Sequence, residues 1–129
     1  MARVPILRLG ELLIATVLED LRDHDALDLQ ERLNTTLERT GARGVLLDVS
    51  AVETLDSFLG RLLNDIAATA RLLGAATVIV GMQPAVAITL VELGLELRGV
   101  QTALTMDQGL ARLRRRLQSE VRQAHRGHR

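Results

Sequence analysis

Apolar residues along this chain form two kinds of pattern, short continuous runs and longer helical repeats, and turn residues separate them. Residues 45–49 and 77–80 are nearly continuous apolar runs, as found in central strands that are covered on both faces. Residues 100–104 predict a further strand. Between residues 4 and 18, two apolar stretches meet at Gly10, which predicts an edge hairpin.

Four other segments repeat apolar residues every three or four positions, which is the period of a helix with one buried face. The predicted helices cover residues 25–41, 57–74, 84–94 and 107 onwards. Asp25 is the expected N-cap of the first helix, and Gly41 and Gly74 are expected to end the first two. Pro84 suits the first position of the third helix, because that position needs no backbone N–H donor.

The third predicted helix differs from the others because it is apolar almost all round. Such a helix is either deeply buried or partly covered by another subunit. We expect Val86, Leu90 and Val91 to contribute to an interface in a homo- or hetero-oligomer.

Strands that alternate with helices predict an α/β fold, with a mixed, mostly parallel sheet of about five strands and about four α-helices. The chain has 129 residues, a length that fits one compact domain. We expect residues 1–129 to form that single domain, with a core of about residues 4–117 and a basic C-terminal end at residues 118–129.

Composition excludes several classes of function. The chain has no cysteine, so it forms no disulfides and has no thiolate chemistry. No apolar run approaches the roughly 18 residues that span a bilayer, and the N-terminus lacks a signal-peptide pattern, so we expect a cytoplasmic protein with no membrane partner. His24 lies among acidic residues, and His125 and His128 lie in the arginine-rich end, so no metal site and no cofactor are expected.

Charge is unevenly distributed along the chain. Residues 1–106 carry nine arginines against fourteen acidic residues, whereas residues 107–129 carry seven arginines against two. Clustered arginines bind phosphate backbones in nucleic-acid-binding proteins. Here Leu113, Leu117 and Val121 run through the same segment, so the arginines are expected to cover the solvated face of an amphipathic helix, and no nucleic acid is expected as a partner.

One polar stretch has the pattern of a regulatory site. Ser57 follows the strand at residues 45–49 and begins the second helix, where free backbone N–H groups and the helix dipole tolerate a phosphate. Asp48 and Asp56 precede it. Phe58, the only aromatic residue, either fills a pocket at the start of the helix or is an exposed anchor for a partner, since aromatic residues are common at interface hot spots.

Catalytic interpretations have little support in the sequence. As a nucleophile, Ser57 would need a base, and His24 is the only candidate inside the domain. No Gly-x-Ser-x-Gly motif surrounds this serine, and no phosphate-binding glycine motif occurs in the chain. Asp48, Glu53 and Asp56 could pair as acid and base, but carboxylates at a strand end more often cap turns or stay solvated. We assign no catalytic residue.

Two motifs resemble those of the STAS family, which includes anti-sigma-factor antagonists and the cytoplasmic regions of sulfate transporters. Leu-Asp-Ser-Phe at residues 55–58 resembles the phosphoserine segment of the antagonists. The segment at residues 81–94, Gly-Met-Gln-Pro-Ala-Val-Ala-Ile-Thr-Leu-Val-Glu-Leu-Gly, is similar to the RsbS branch of the family, the scaffold proteins of bacterial stressosomes. The resemblance covers about residues 4–117 and implies the STAS fold.

The resemblance also implies partners and a site. By this resemblance, Ser57 matches a serine that an RsbT-like switch serine kinase phosphorylates, and Asp48 and Asp56 match residues beside it. An RsbR-like STAS co-scaffold and an RsbX-like phosphatase are the other implied partners. Phe58 and Leu59 follow the serine where common antagonists have small residues, which favours the stressosome branch.

The resulting hypothesis is a non-enzymatic scaffold that holds a switch kinase while Ser57 is free and releases it when Ser57 is phosphorylated. Asp48, Asp56 and Phe58 are the expected partner-binding residues. Two alternatives stay open: a freestanding anti-sigma-factor antagonist regulated by phosphorylation of the same serine, and, more remotely, a serine-dependent enzyme.

Overall fold

The computed structural model describes the backbone of residues 4–127 and the side chains up to residue 124. The strands of this part are β1 (Ile6–Leu9), β2 (Leu12–Thr16), β3 (Gly44–Asp48), β4 (Ala76–Val80) and β5 (Gln101–Ala103). Its helices are α1 (Asp23–Thr40), α2 (Ser57–Leu72), α3 (Pro84–Glu92) and α4 (Met106–Gly127). His128 and Arg129 of the predicted basic end lie outside the described residues.

All five strands form one sheet in the order β1-β2-β3-β4-β5. The hairpin strands β1 and β2 pair antiparallel, with Ile6 opposite Ala15, and the tight turn between them places Gly10 at φ +59°. The pairs β2–β3, β3–β4 and β4–β5 are parallel, because a helix connects each strand to the next. The predicted α/β fold, with a mostly parallel five-stranded sheet and four helices, is therefore confirmed.

Aliphatic side chains pack on both faces of the sheet. The larger core includes Leu33 of α1 and Leu63 of α2, which pack with alternate residues of the central strands. The smaller core lies on the other face, where Leu113 of α4 is fully buried. Gly109 lets α4 approach the sheet closely, because a Cβ atom at this position would lie 2.6 Å from Cγ2 of Val80.

Helix α1 begins two residues before the predicted cap. Its N-cap residue is Arg22, whose side chain makes no capping hydrogen bond, and Asp25 lies in the first turn together with Asp23. The prediction that Asp25 is the cap is therefore wrong. Acidic residues in the first turn favour a helix through its dipole as well as through capping, so the sequence signal did not define the first residue.

Helix α3 buries one apolar face in its own protomer and leaves another exposed. Val86 is 1% exposed and Leu90 is 4% exposed, and both pack into the larger core. The prediction that these two side chains lie in an assembly interface is wrong, because the core of the same chain already covers them. Val91 is 79% exposed, and Ile88 is exposed beside it.

Helix α4 continues past the end of the sheet. Leu113 and Leu117 are buried against the strands, but Val121 is 53% exposed, contrary to the expectation that it faces inward. With 22 residues the helix is about 33 Å long, roughly twice the length of a five-residue strand, so its C-terminal part has no sheet beneath it. Among the described helices, none is both long and apolar enough to cross a bilayer.

Candidate functional site

The candidate site lies at the carboxyl end of the parallel strands, where β3 leads into α2. Oδ1 of Asp48 accepts a hydrogen bond from the backbone N–H of Ser50 at 2.9 Å, which turns the chain sharply after β3. Val52 and Leu55 then anchor the connecting loop, since both are buried in the core. The loop therefore delivers the next residues to a fixed position at the sheet edge.

Asp56 is the N-cap of α2. Its backbone is extended, with φ −96° and ψ 172°, and its Oδ1 accepts a hydrogen bond from the N–H of Leu59 at 2.8 Å. A capping carboxylate satisfies one of the free donors of the first turn and stabilises the helix. The structure thus gives a defined structural role to a residue that the resemblance assigned to partner binding.

Ser57 is the first residue of α2, and its side chain is exposed. Within the described residues, its hydroxyl has no hydrogen-bond partner, because Asp56 performs the capping that a serine could have supplied. The backbone N–H groups of Ser57 and Phe58 also have no acceptor within the described part of the chain. An exposed hydroxyl beside free N–H donors and a positive helix end is an arrangement that accommodates a phosphate.

Phe58 is half-buried beside this serine and packs against the larger core. Its ring lines a cavity of about 180 Å³ between the loop before α1 and the start of α2. The lining residues are Glu19, Leu21, Asp23, Ala26, Thr54, Leu55, Asp56, Phe58 and Leu59. The floor of this cavity is apolar and its rim is acidic, so it suits a partner side chain with an apolar stem and a positive end.

Two contacts that sequence reasoning missed hold the loops around the site. Oε1 of Glu19 accepts hydrogen bonds from the N–H of Thr54 at 3.1 Å and from its hydroxyl at 3.0 Å. On the other side, Nε2 of Gln83 donates to the carbonyl of Ser50 at 3.0 Å. These partners are more than thirty positions apart, so no local pattern could have indicated them.

The catalytic alternative finds no support in the geometry. Nε2 of His24 lies 3.3 Å from Oδ1 of Asp25, its side chain is largely exposed, and no hydrogen bond joins it to Ser57. Among the described residues, no group of three or more histidine or acidic side chains is placed to hold a metal ion. Asp48 and Asp56 are each engaged in a backbone hydrogen bond that supports the loop.

A family model described as the STAS domain matches residues 4–108. The chain belongs to the STAS family. Its predicted membership is therefore confirmed, and the site described above lies inside the matched segment. No curated protein sequence matches the chain.

Solved structures place this STAS chain near RsbS. It is 38% identical to a Moorella thermoacetica RsbS variant in which glutamate replaces a serine, with a TM-score of 0.83 over 91% of this chain and 99% of that one. It is 40% identical to a chain from the molecular architecture of the stressosome, with a TM-score of 0.77 over 86% of this chain and 96% of that one. The chain is thus an RsbS-like STAS protein.

A more distant structure shares the fold alone. Phosphorylated SpoIIAA, a Bacillus cell fate determinant, is 12% identical, with a TM-score of 0.66 over 84% of this chain and 97% of that one. At this identity the likeness shows that the layered arrangement is common to both proteins. It carries no residue role across to this chain.

Proposed function

We propose that this RsbS-like chain is a non-enzymatic, cytoplasmic scaffold that holds an RsbT-like switch kinase and releases it when Ser57 is phosphorylated. The observation that carries the proposal is the exposed, unpaired hydroxyl of Ser57 at the start of α2. The serine-to-glutamate variant of the Moorella relative supports it, because glutamate supplies the negative charge that a phosphate would bring.

The physical reason for release is the cost of burying a phosphate at an interface. A phosphoserine brings about two negative charges, and the dipole of α2 offsets them by roughly 0.3–1 kcal/mol. The nearby carboxylates of Asp56 and Glu53 are exposed and oppose the phosphate by a similar, well-screened amount. Within the domain these effects nearly cancel. A docked partner would have to strip water from the dianion, which is far more costly.

The cavity beside Phe58 is the proposed docking point of the kinase. Phe58 offers an aromatic surface, Asp56 and Asp23 offer negative charge, and Ser57 lies in the chain between the lining residues Asp56 and Phe58. Asp48 shapes the loop behind this surface through its hydrogen bond to Ser50. A partner seated there would cover Ser57. A phosphate on Ser57 and a bound partner would therefore exclude one another.

The stressosome relative supports assembly with other STAS chains. We infer an RsbR-like co-scaffold as one component and an RsbX-like phosphatase as the enzyme that restores the free serine. Residues 1–129 would form one STAS domain whose basic end extends α4. Val91 stays a proposed assembly contact because its side chain is exposed.

Binding of the RsbT-like kinase to two variants of the full-length chain tests this function. Ser57→Ala keeps the site neutral and should bind the kinase as wild type does. Ser57→Asp adds one charge and should bind at least about tenfold more weakly. Equal binding by both variants would contradict the proposal. Capture of an anti-sigma factor in a one-to-one complex, with no kinase bound, would support the freestanding antagonist instead.

A further inference from the structure

The outer face of α4 is basic and has no acidic residue to balance it. Glu120 is the only acid between residues 108 and 127, and its carboxylate already lies 3.3 Å from Arg43 and 3.7 Å from Arg116. Arg115 and Arg122 are exposed on the side of α4 that faces away from the sheet. Among the described residues, no carboxylate lies within ion-pairing distance of either guanidinium.

Two other arginines of α4 have a different task. Nη1 of Arg112 donates to the carbonyl of Thr102 at 2.6 Å, and Nη1 of Arg116 donates to the carbonyl of Gly99 at 2.7 Å. The first bond reaches a carbonyl of the edge strand β5, and the second reaches a carbonyl just before that strand. These two guanidinium groups therefore lie toward the sheet, whereas Arg115 and Arg122 stay on the outward face of α4.

The outer face of α1 is acidic and lies on the opposite side of the sheet. Glu31 and Glu38 are exposed, and neither has a basic partner within the described residues. Leu27, one turn before Glu31, is 54% exposed. Arg32 does not neutralise this face, because it is paired with Asp28 at 2.9 Å and turned toward the flank.

The two faces match in spacing as well as in charge. On α1, Glu31 lies four positions after Leu27, and Glu38 lies seven positions after Glu31. The same intervals separate the outward residues at positions 111, 115 and 122 of α4. The matched positions are Leu27 with Ala111, Glu31 with Arg115, Thr35 with Ser119 and Glu38 with Arg122. Seven residues make two helical turns, or about 10.5 Å, so both ion pairs form at once when the helices dock in parallel. The small side chain of Ala111 leaves room for Leu27.

Chain direction permits this parallel docking. Helix α1 connects the parallel strands β2 and β3, and α4 follows β5, so both helices run opposite to the strands. Because they lie on opposite faces of the sheet, two copies in the same orientation bring α1 of one beside α4 of the other. Glu31 lies about 12 Å along α1 from its first residue, so the contact leaves the Ser57 end of each copy open.

We propose that the acidic outer face of α1 in one copy of this chain docks in parallel on the arginine face of α4 in a second copy. The contact is head-to-tail, so each copy keeps one free donor face and one free acceptor face, and it repeats from copy to copy, into a ring where the rotation closes and into a filament where it does not. This inference rests on the proposed function only in taking assembly of STAS chains as part of it. The Ser57 sides of all copies then face the same way.

Charge reversal on the full-length chain tests the contact. The variant Glu31→Arg/Glu38→Arg has two basic faces, and Arg115→Glu/Arg122→Glu has two acidic faces. Each variant alone should need a concentration about tenfold higher or more for half-assembly, measured by sedimentation velocity at low salt. An equimolar mixture of the two should assemble again, because each reversed face then meets its opposite. Added salt at about 0.5 M should weaken assembly of wild type.

The matched control is Arg61→Glu/Arg98→Glu, which reverses two exposed arginines elsewhere and should assemble as wild type does. Circular dichroism checks that every variant is folded. The inference is overturned if the reversed variants assemble like wild type, if their mixture stays monomeric, or if wild type itself is monomeric at all concentrations. Kinase binding by the same proteins is measured in parallel, so failure of this contact is distinguished from failure of the Ser57 switch.

Discussion

At the scale of single residues, the site depends on a division of roles between Asp56 and Ser57. The carboxylate of Asp56 caps α2 through the N–H of Leu59, which leaves the hydroxyl of Ser57 exposed and unpaired within the described residues. Had the serine been the cap, its hydroxyl would have faced the helix, and modification would have removed a stabilising hydrogen bond. The arrangement separates stability of the helix from chemistry at its first residue.

Replacing the cap should therefore lower the stability of the folded chain. We expect Asp56→Ala to reduce the free energy of unfolding by about 1 kcal/mol, because one donor of the first turn loses its acceptor. Asp56→Asn retains an oxygen at the same place and is the control. Urea unfolding followed by circular dichroism measures both. A loss of the same size in both variants would show that the hydrogen bond to Leu59 is not what stabilises the helix.

A negative charge at Ser57, the residue after the cap, should not lower the stability of the fold. We expect Ser57→Asp to leave the free energy of unfolding unchanged or raised by less than about 1 kcal/mol, because a negative charge at the first helical position is favoured by the dipole. Ser57→Ala serves as the neutral reference. Thermal and urea unfolding give the comparison, and a marked destabilisation by aspartate alone would mean that the surrounding carboxylates outweigh the dipole.

Sequence patterns located Ser57 but not its cap. Aspartate and serine are both strong capping residues, so adjacent Asp56 and Ser57 give the same signal and the pattern cannot rank them. The hydrogen bonds between Glu19 and Thr54 could not be predicted from the sequence for a different reason. They span 35 positions and join two loops, and loop contacts have no period that a sequence window detects.

At the scale of elements, the buried face of a helix could be predicted where the opposite face is polar. It could not be predicted for a helix that has no polar face. Helix α2 has a clear apolar stripe, and its buried residues include Leu62 and Ile66, as the periodicity indicated. Helix α3 has nine residues, almost all apolar, so the sequence did not show which face is inside. Val86 and Leu90, four positions apart, turned out to be the buried pair.

Close helix packing makes a testable contrast between two helical glycines. A Cβ atom on Gly109 would lie 2.6 Å from Cγ2 of Val80 and 3.0 Å from Cδ2 of Leu46, both packed in the smaller core. We expect Gly109→Ala to lower the free energy of unfolding by about 1–2 kcal/mol, since overpacking outweighs the gain in helix propensity. Chemical denaturation measures the change.

Gly60→Ala is the matched variant. Its Cβ would approach 2.7 Å from the terminal Cδ1 of Leu95, a partly exposed side chain in the segment after α3 that has room to move. The expected change in stability is within about 0.5 kcal/mol, because higher helix propensity offsets a small shift of that side chain. A loss at Gly109→Ala as small as that expected for Gly60→Ala would show that α4 does not depend on close approach to the sheet.

At the scale of the whole molecule, surfaces of different charge lie at different places on the fold. The carboxyl edge of the sheet carries the serine and an acidic rim, whereas the outward sides of α1 and α4 carry opposite charges farther along the helices. Overall net charge is zero, so this separation is invisible in the total. In the proposed assembly, a domain built this way would expose one end to the kinase while its flanks contact neighbouring copies.

The fold could be predicted at this scale because alternating strands and helices leave few arrangements of a parallel sheet. Surfaces were harder to foresee. The arginines of residues 112–122 were expected to be solvated, yet Arg112 and Arg116 bind backbone carbonyls at the β5 edge, a contact that appears only once the strand order is known. Charge counts along the sequence showed that the C-terminal segment is basic and the rest of the chain acidic. They did not show which surfaces of the fold carry these charges.

The most direct test of the switch is the affinity of the RsbT-like kinase for this chain before and after the chain is phosphorylated, with mass spectrometry locating the phosphate. We predict modification at Ser57, an unchanged far-ultraviolet circular dichroism spectrum, and a dissociation constant at least about tenfold higher for the phosphorylated form. Equal affinity of the two forms, or a phosphate on a different residue, would contradict the account.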